Sequence, residues 1–121
     1  MKRTHWRQFV GLPHQTGADP RVDDAADCLL LAFAVLDELN QPHPPVDAQW
    51  FEMAEKGMWP ELKQQLDSLT VADAGGNGAV AMGTGGLVVS VGHGVLVTQD
   101  RRGVRWVPME LLCPIDWRRF K

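Results

Sequence analysis

The hydrophobic and polar positions of this chain follow two different patterns, and the first of them is helical. Over residues 25–39, apolar side chains recur at helical spacing and also fill the intervening positions, so that only Asp37 and Glu38 are polar near the end. A helix that is apolar on nearly every side is covered on most faces. The pattern therefore predicts a central helix, N-capped by Asp24 or Asp27.

Two shorter helices are predicted after the central one. Asp47 can cap a helix over about 48–56, and Pro60 suits the first turn of another over about 60–69. Both predictions rest on local signals, because a capping side chain and a proline act within one turn of the helix start.

The second pattern begins near residue 71 and is typical of strands. Runs rich in β-branched residues follow a glycine-rich stretch, and they predict strands over 79–82, 87–91, 93–98 and 104–107. A Gly-containing loop makes the last two a hairpin. Helices followed by a small antiparallel sheet define the α+β class, and the 121 residues are predicted to form a single domain, 1–121.

The composition argues against some classes of partner and location but indicates no particular reaction. The net charge of −3 argues against nucleic acid as a partner. Residues 19–67 carry eleven acids against three bases, whereas residues 101–121 carry six bases against two acids. This asymmetry indicates either two solvated faces or a basic tail that docks on an acidic neighbour, such as another copy. The polar start and the short apolar runs predict neither a secretory signal nor membrane insertion.

Cys28, at the start of the central helix, is the main candidate for chemistry. The positive end of a helix dipole stabilises a thiolate, which is how many catalytic cysteines are activated. Asp27 opposes this effect, because a neighbouring carboxylate raises a thiol pKa. Cys28 can equally be a buried structural cysteine, and with Cys113, the other cysteine of the chain, it can be paired or free.

A cysteine nucleophile needs a base, and His93 is the best-placed histidine. It opens the predicted strand 93–98, where it could take the thiol proton and later protonate a leaving amine. No zinc-binding spacing of Cys and His is present, and the glycine-rich run 75–86 lacks the Lys-Ser/Thr end of a phosphate loop. We therefore expect neither a metal nor a cofactor.

The order of these features resembles that of the NlpC-type cysteine peptidases, which are compact papain-like domains that cut peptidoglycan peptides. The likeness is greatest to the small versions found in bacteriophage tail-assembly regions, and it covers nearly the whole chain. The matching positions are Trp6, Gly11, Pro13, Asp27-Cys28, Leu31, the Pro44-Pro45 loop, His93 and the terminal segment "DWRRF" over 116–120.

The resemblance implies a papain-like α+β domain with Cys28 as nucleophile and His93 as base. Asp27, His14 and Arg105 are then candidate accessory residues, and the backbone N–H of Cys28 would help to hold an oxyanion.

The chain departs from the family pattern at several positions. Leu29 and Leu30 follow the cysteine where the family has a small residue and then glycine, and His14 stands where an aromatic residue is expected. A hairpin from His93 is expected to place Val104, Arg105 or Trp106 at the third catalytic position, although none of these side chains suits the orienting role.

Three functions follow as expectations. The first is a phage-tail peptidase that opens peptidoglycan during infection. The second is an inactive adaptor or hub protein of the tail, whose partners would be other tail proteins in the host cytoplasm and then in the virion. The third lies outside the resemblance and is a small bacterial toxin, immunity or scaffolding protein that shares these short motifs.

Overall fold

Within the part of the chain that the structure describes, three α-helices precede a six-stranded antiparallel sheet, so the predicted α+β class is confirmed. The structure is a computed structural model that describes residues 3–83, 86–99, 102–111 and 116–121. A 3-10 helix, Trp6–Phe9, is followed by α1 (Cys28–Glu38), α2 (Ala48–Glu55) and α3 (Trp59–Ser68). The strands are β1 (Thr70–Ala72), β2 (Val80–Gly83), β3 (Gly86–Ser90), β4 (Gly94–Gln99), β5 (Gly103–Pro108) and β6 (Arg118–Phe120).

The strands are arranged in the order β1-β6-β2-β3-β4-β5. The predicted hairpin over the last two runs is confirmed, because β4 and β5 pair from Gly94↔Pro108 to Gln99↔Gly103. Strands β1 and β6 were not predicted. Each has only three residues, and β6 returns from the end of the chain to lie between β1 and β2.

Helix α1 is the centre of the core, as its apolar pattern predicts. It packs on β3 and β4, and every residue from Cys28 to Leu36 is buried. Phe33 and Val35 are completely inaccessible to solvent. Burial of each large apolar side chain is worth about 1.5–3 kcal/mol relative to exposure, so this helix supplies a large share of the folding free energy.

The helix begins at Cys28 rather than at residue 25 because Asp27 is its N-cap. One carboxylate oxygen of Asp27 accepts the backbone N–H groups of Leu29 at 2.8 Å and Leu30 at 3.3 Å, and the other accepts the N–H of Gly17 at 3.0 Å. The carboxylate is 3% exposed and joins the helix to the preceding loop. Ala26 belongs to that loop and forms an isolated parallel bridge with His14.

Helices α2 and α3 confirm the predictions made from their caps. Asp47 accepts the N–H of Gln49 at 2.9 Å at the start of α2, and Pro60 lies in the first turn of α3. No helix among the described residues has both the length and the apolar character needed to cross a membrane.

The basic end of the chain folds onto the acidic region of the same chain. The Arg118 Nε donates to Thr70 Oγ1 at 2.8 Å and lies 3.6 Å from the Asp67 carboxylate of α3. Lys63 bridges Asp67 at 2.9 Å and Asp116 at 3.2 Å. Part of the charge asymmetry seen in the sequence is therefore compensated within the molecule.

We expect Asp27→Ala to lower the free energy of unfolding by about 2 kcal/mol, since it removes a helix cap and leaves buried N–H groups without an acceptor. Urea denaturation measures this change. Asp47→Ala is the matched control, because that cap is exposed and makes a single bond, so its loss should cost about 1 kcal/mol or less. An equal or smaller effect at Asp27 would contradict the assigned role.

Candidate functional site

Cys28 occupies the first position of α1, where the sequence places it, but its thiol is buried. The residue is 8% exposed, and its Sγ lies beside the first residues of β3, 3.7 Å from the position that a Cβ atom on Gly86 would occupy. Backbone N–H groups of Leu87, Leu29 and Cys28 itself lie within hydrogen-bonding reach of the sulfur. The thiol therefore faces the interior of the molecule.

Burial determines the protonation state of this thiol. Removal from water, and then the negative charge of Asp27, raise the pKa of the Cys28 thiol from its ordinary value of 9.0 to about 11. The three backbone N–H groups act in the opposite direction but are outweighed. At neutral pH the sulfur is a protonated thiol, which is a poor nucleophile.

The space next to Cys28 is an apolar crevice between α1, α2 and α3. Trp50, Phe51 and Trp59 form one wall, and Met82 and Leu87 of the sheet form the other. Leu29 is 5% exposed and also lines the crevice, so the bulky residue after the cysteine fills the core. A peptide substrate would find almost no polar partners for its backbone in such a crevice.

His93 lies at the opposite end of β3 from Cys28. It does not open β4 but occupies, with Gly92, the turn between β3 and β4, which is closed by a 2.9 Å bond from Val91 N–H to Gly94 O. The side chain of His93 is exposed. The four steps from Gly86 to Ser90 span about 13 Å, so the structure does not bring the predicted Cys28–His93 pair together.

The residues that were expected to lie opposite His93 on the next strand lie elsewhere in the sheet. Because Gly94 pairs with Pro108, it is Met109 whose N–H reaches His93 O, at 3.3 Å. Val104, Arg105 and Trp106 pair with Thr98, Val97 and Leu96, further along β4. The expectation that one of these three would adjoin His93 is wrong, because antiparallel pairing places the start of β4 opposite the end of β5.

His14 is the histidine that the fold holds at the Cys28 end of the sheet. Its Nδ1 lies 3.2 Å from Thr98 Oγ1, and the Thr98 carbonyl oxygen would lie 3.9 Å from a Cβ atom on Gly86. Among the described residues, no histidine forms a hydrogen bond with Cys28. Local sequence reasoning missed Thr98, because 84 positions separate it from His14 and no short motif links them.

Asp27 and Arg105 are the two remaining candidate accessory residues. Asp27 uses both carboxylate oxygens to bind backbone N–H groups. Arg105 pairs with Val97, whose side chain belongs to a small apolar cluster separate from the core around α1. Because directly paired residues share a face of the sheet, Arg105 lies on the face away from Cys28. Its Nε is buried without a hydrogen-bond partner among the described groups.

Within the described ranges, no group of three or more His, Cys, Asp or Glu side chains is arranged to hold a metal ion. The sequence leaves open whether Cys28 and Cys113 are paired or free, and residue 113 lies outside the described residues.

Comparison of the chain with protein-family models, with curated proteins and with solved structures gives no match.

In a Cys113→Ser background, where Cys28 is the only thiol, we expect slow alkylation of the folded protein at pH 8. A thiol with a pKa of about 11 is ionised to roughly one part in a thousand at that pH. Iodoacetamide labelling followed by mass spectrometry measures the rate, and the same protein in urea is the control. Labelling as fast in the folded as in the unfolded protein would contradict the buried, protonated thiol.

The raised thiol pKa also predicts a loss of stability in alkali. The unfolded chain releases the thiol proton near pH 9 and the folded chain only near pH 11, so the folded state binds more protons in between and its stability falls as the pH rises. Relative to Cys28→Ala, the Cys28 protein should lose up to about 3 kcal/mol from pH 9 to pH 11. Urea denaturation measures this change, and the chain has no tyrosine that would titrate in the same pH range. Parallel curves of stability against pH for the two proteins would refute the prediction.

Proposed function

We propose that this chain is a structural protein of a bacteriophage tail, an adaptor or hub component that has an NlpC-like domain and no peptidase activity. The observation that most directly supports the absence of catalysis is the buried thiol of Cys28, whose pKa is raised to about 11. A cysteine peptidase depends on the opposite state, namely a thiolate that is accessible to its substrate.

The surroundings of the thiol support the same proposal. A catalytic cysteine requires a base within hydrogen-bonding reach, yet β3 separates Cys28 from His93. The carboxylate that adjoins Cys28 is committed to the backbone of α1 and to Gly17. Asp27 and Cys28 are therefore better explained as parts of the helix start than as members of a catalytic group.

The phage-tail setting rests on the sequence resemblance. The partners under this proposal are other tail proteins, and the location is the host cytoplasm during assembly followed by the virion tail. Bacterial peptidoglycan is a substrate only under the alternative proposal of an active tail peptidase.

We expect the purified protein to release no more soluble peptide from peptidoglycan than a buffer control does. Cys28→Ala, His93→Ala and His14→Ala should match the unmodified protein, because none of these side chains takes part in hydrolysis under the proposal. Release is measured by chromatography of the soluble fraction. Activity that Cys28→Ala abolishes would refute the proposal in favour of the peptidase, and the two histidine variants would then identify the base.

The tail assignment has its own test. Virions of a phage that encodes this chain should contain it in the tail fraction, as detected by mass spectrometry after capsids and tails are separated. Virions carrying Cys28→Ala should retain it and remain infectious. Absence of the chain from the virion would remove the tail assignment, whatever the outcome of the peptidoglycan assay.

A further inference from the structure

His43 lies in the loop that leaves α1 and is packed against the core. Its ring stacks on Phe33 with a centroid separation of 4.2 Å and an interplanar angle of 12°. Phe33 is fully buried, and the side chain of His43 is only 19% exposed. The ring is therefore held in one orientation, in a loop made rigid by Pro44 and Pro45.

Both ring nitrogens of His43 have partners that accept hydrogen bonds. Nδ1 lies 2.8 Å from the carbonyl oxygen of Pro44, and Nε2 lies 2.7 Å from the Oδ1 of Asp37. A carbonyl oxygen has no proton to donate, so Nδ1 must carry one. A neutral ring protonated at Nδ1 would direct the lone pair of Nε2 at the Asp37 oxygen.

Asp37 is itself kept in the ionised, accepting form. Burial pushes the pKa of Asp37 upward, but the hydrogen bonds from His43 and Arg21 outweigh it, so the net pKa lies below the ordinary value. Arg21 Nη1 donates to Asp37 Oδ2 at 2.6 Å, and Asp19 in turn binds the Arg21 Nε at 3.0 Å. Asp19, Arg21 and Asp37 thus form a chain of alternating charges that ends at the His43 ring.

We propose that His43 is a doubly protonated imidazolium that clamps the loop 40–47 to the C-terminal end of α1, and that the clamp opens when the ring loses a proton. Both bonds need a donor, and the bond to Asp37 is charge-assisted. A cation stacked on Phe33 is also favoured by the ring quadrupole. The proposal rests neither on a role for Cys28 nor on the tail proposal.

The direction of the pH response follows from proton linkage. The clamped state holds a proton that the open loop has no need to hold, so a lower pH favours the clamp and a higher pH favours the open loop. The loop leads directly into α2, which forms one wall of the crevice at Cys28. Opening therefore loosens the connection between α1 and α2.

His5 provides an internal control. Its Nδ1 accepts the backbone N–H of Arg7 at 3.1 Å, and its Nε2 lies 3.5 Å from Glu38 and 3.4 Å from the Nη1 of Arg7, which can only donate. A nitrogen that accepts a hydrogen bond carries no proton, so the geometry of His5 calls for an unprotonated Nδ1. The two histidines thus share a carboxylate partner at Nε2 and differ in the role of Nδ1.

Nitrogen-15 NMR of the histidine rings tests the protonation states directly. We expect, in one sample, imidazolium shifts at both nitrogens of His43 and the shift of an unprotonated, accepting Nδ1 at His5. On raising the pH until His43 deprotonates, exchange protection of the Gln41 backbone amide, which donates to Leu36 O at 2.8 Å, should fall roughly tenfold after correction for the base-catalysed intrinsic rate, as expected for loss of one charge-assisted hydrogen bond.

Two variants give the control for the clamp. His43→Gln should show weak protection of the Gln41 amide at every pH, and Asp37→Asn should largely remove the pH dependence, since an amide can donate to a neutral Nε2. A neutral His43 ring in the spectrum where the Nδ1 of His5 is unprotonated would overturn the proposal. Protection that follows the same pH course in the unmodified protein and in His43→Gln would overturn it as well.

Discussion

The buried carboxylate of Asp27 is the contact on which both the fold and the candidate site depend. It begins α1 by accepting two N–H groups of the first turn, and it holds the preceding loop by accepting the N–H of Gly17. A buried carboxylate needs hydrogen-bond donors, and each oxygen of Asp27 accepts at least one backbone N–H. The same negative charge then acts on the neighbouring sulfur and raises the pKa of Cys28.

Packing of α1 against β3 decides the chemical character of Cys28. The helix dipole and three backbone N–H groups favour a thiolate, whereas desolvation and Asp27 oppose it, and the opposing effects are larger. The aromatic residues of α2 and α3 complete the enclosure of this end of the helix. A position that is typical of a nucleophile is in this way occupied by a buried side chain whose thiol pKa is raised.

Long-range pairing explains where the sequence predictions were incomplete. The caps of α2 and α3 and the β4–β5 hairpin depend on neighbouring residues, and each was predicted within about a residue or two. Strands β1 and β6 are too short to give a periodic signal, and they exist because residues fifty positions apart meet, as in Thr70↔Phe120. The Arg118–Asp67 contact follows from that pairing and could not be assigned beforehand.

The sequence by itself determined the α+β class, the central apolar helix and the presence of a cysteine at its start, because these depend on local spacing and capping. Only the tertiary structure decided which end of β3 adjoins that cysteine. It thereby placed His93 in a distant exposed turn and His14 near Thr98. The physical reason is that the position of a helix along a sheet is set by the packing of side chains from separate segments, which no short pattern encodes.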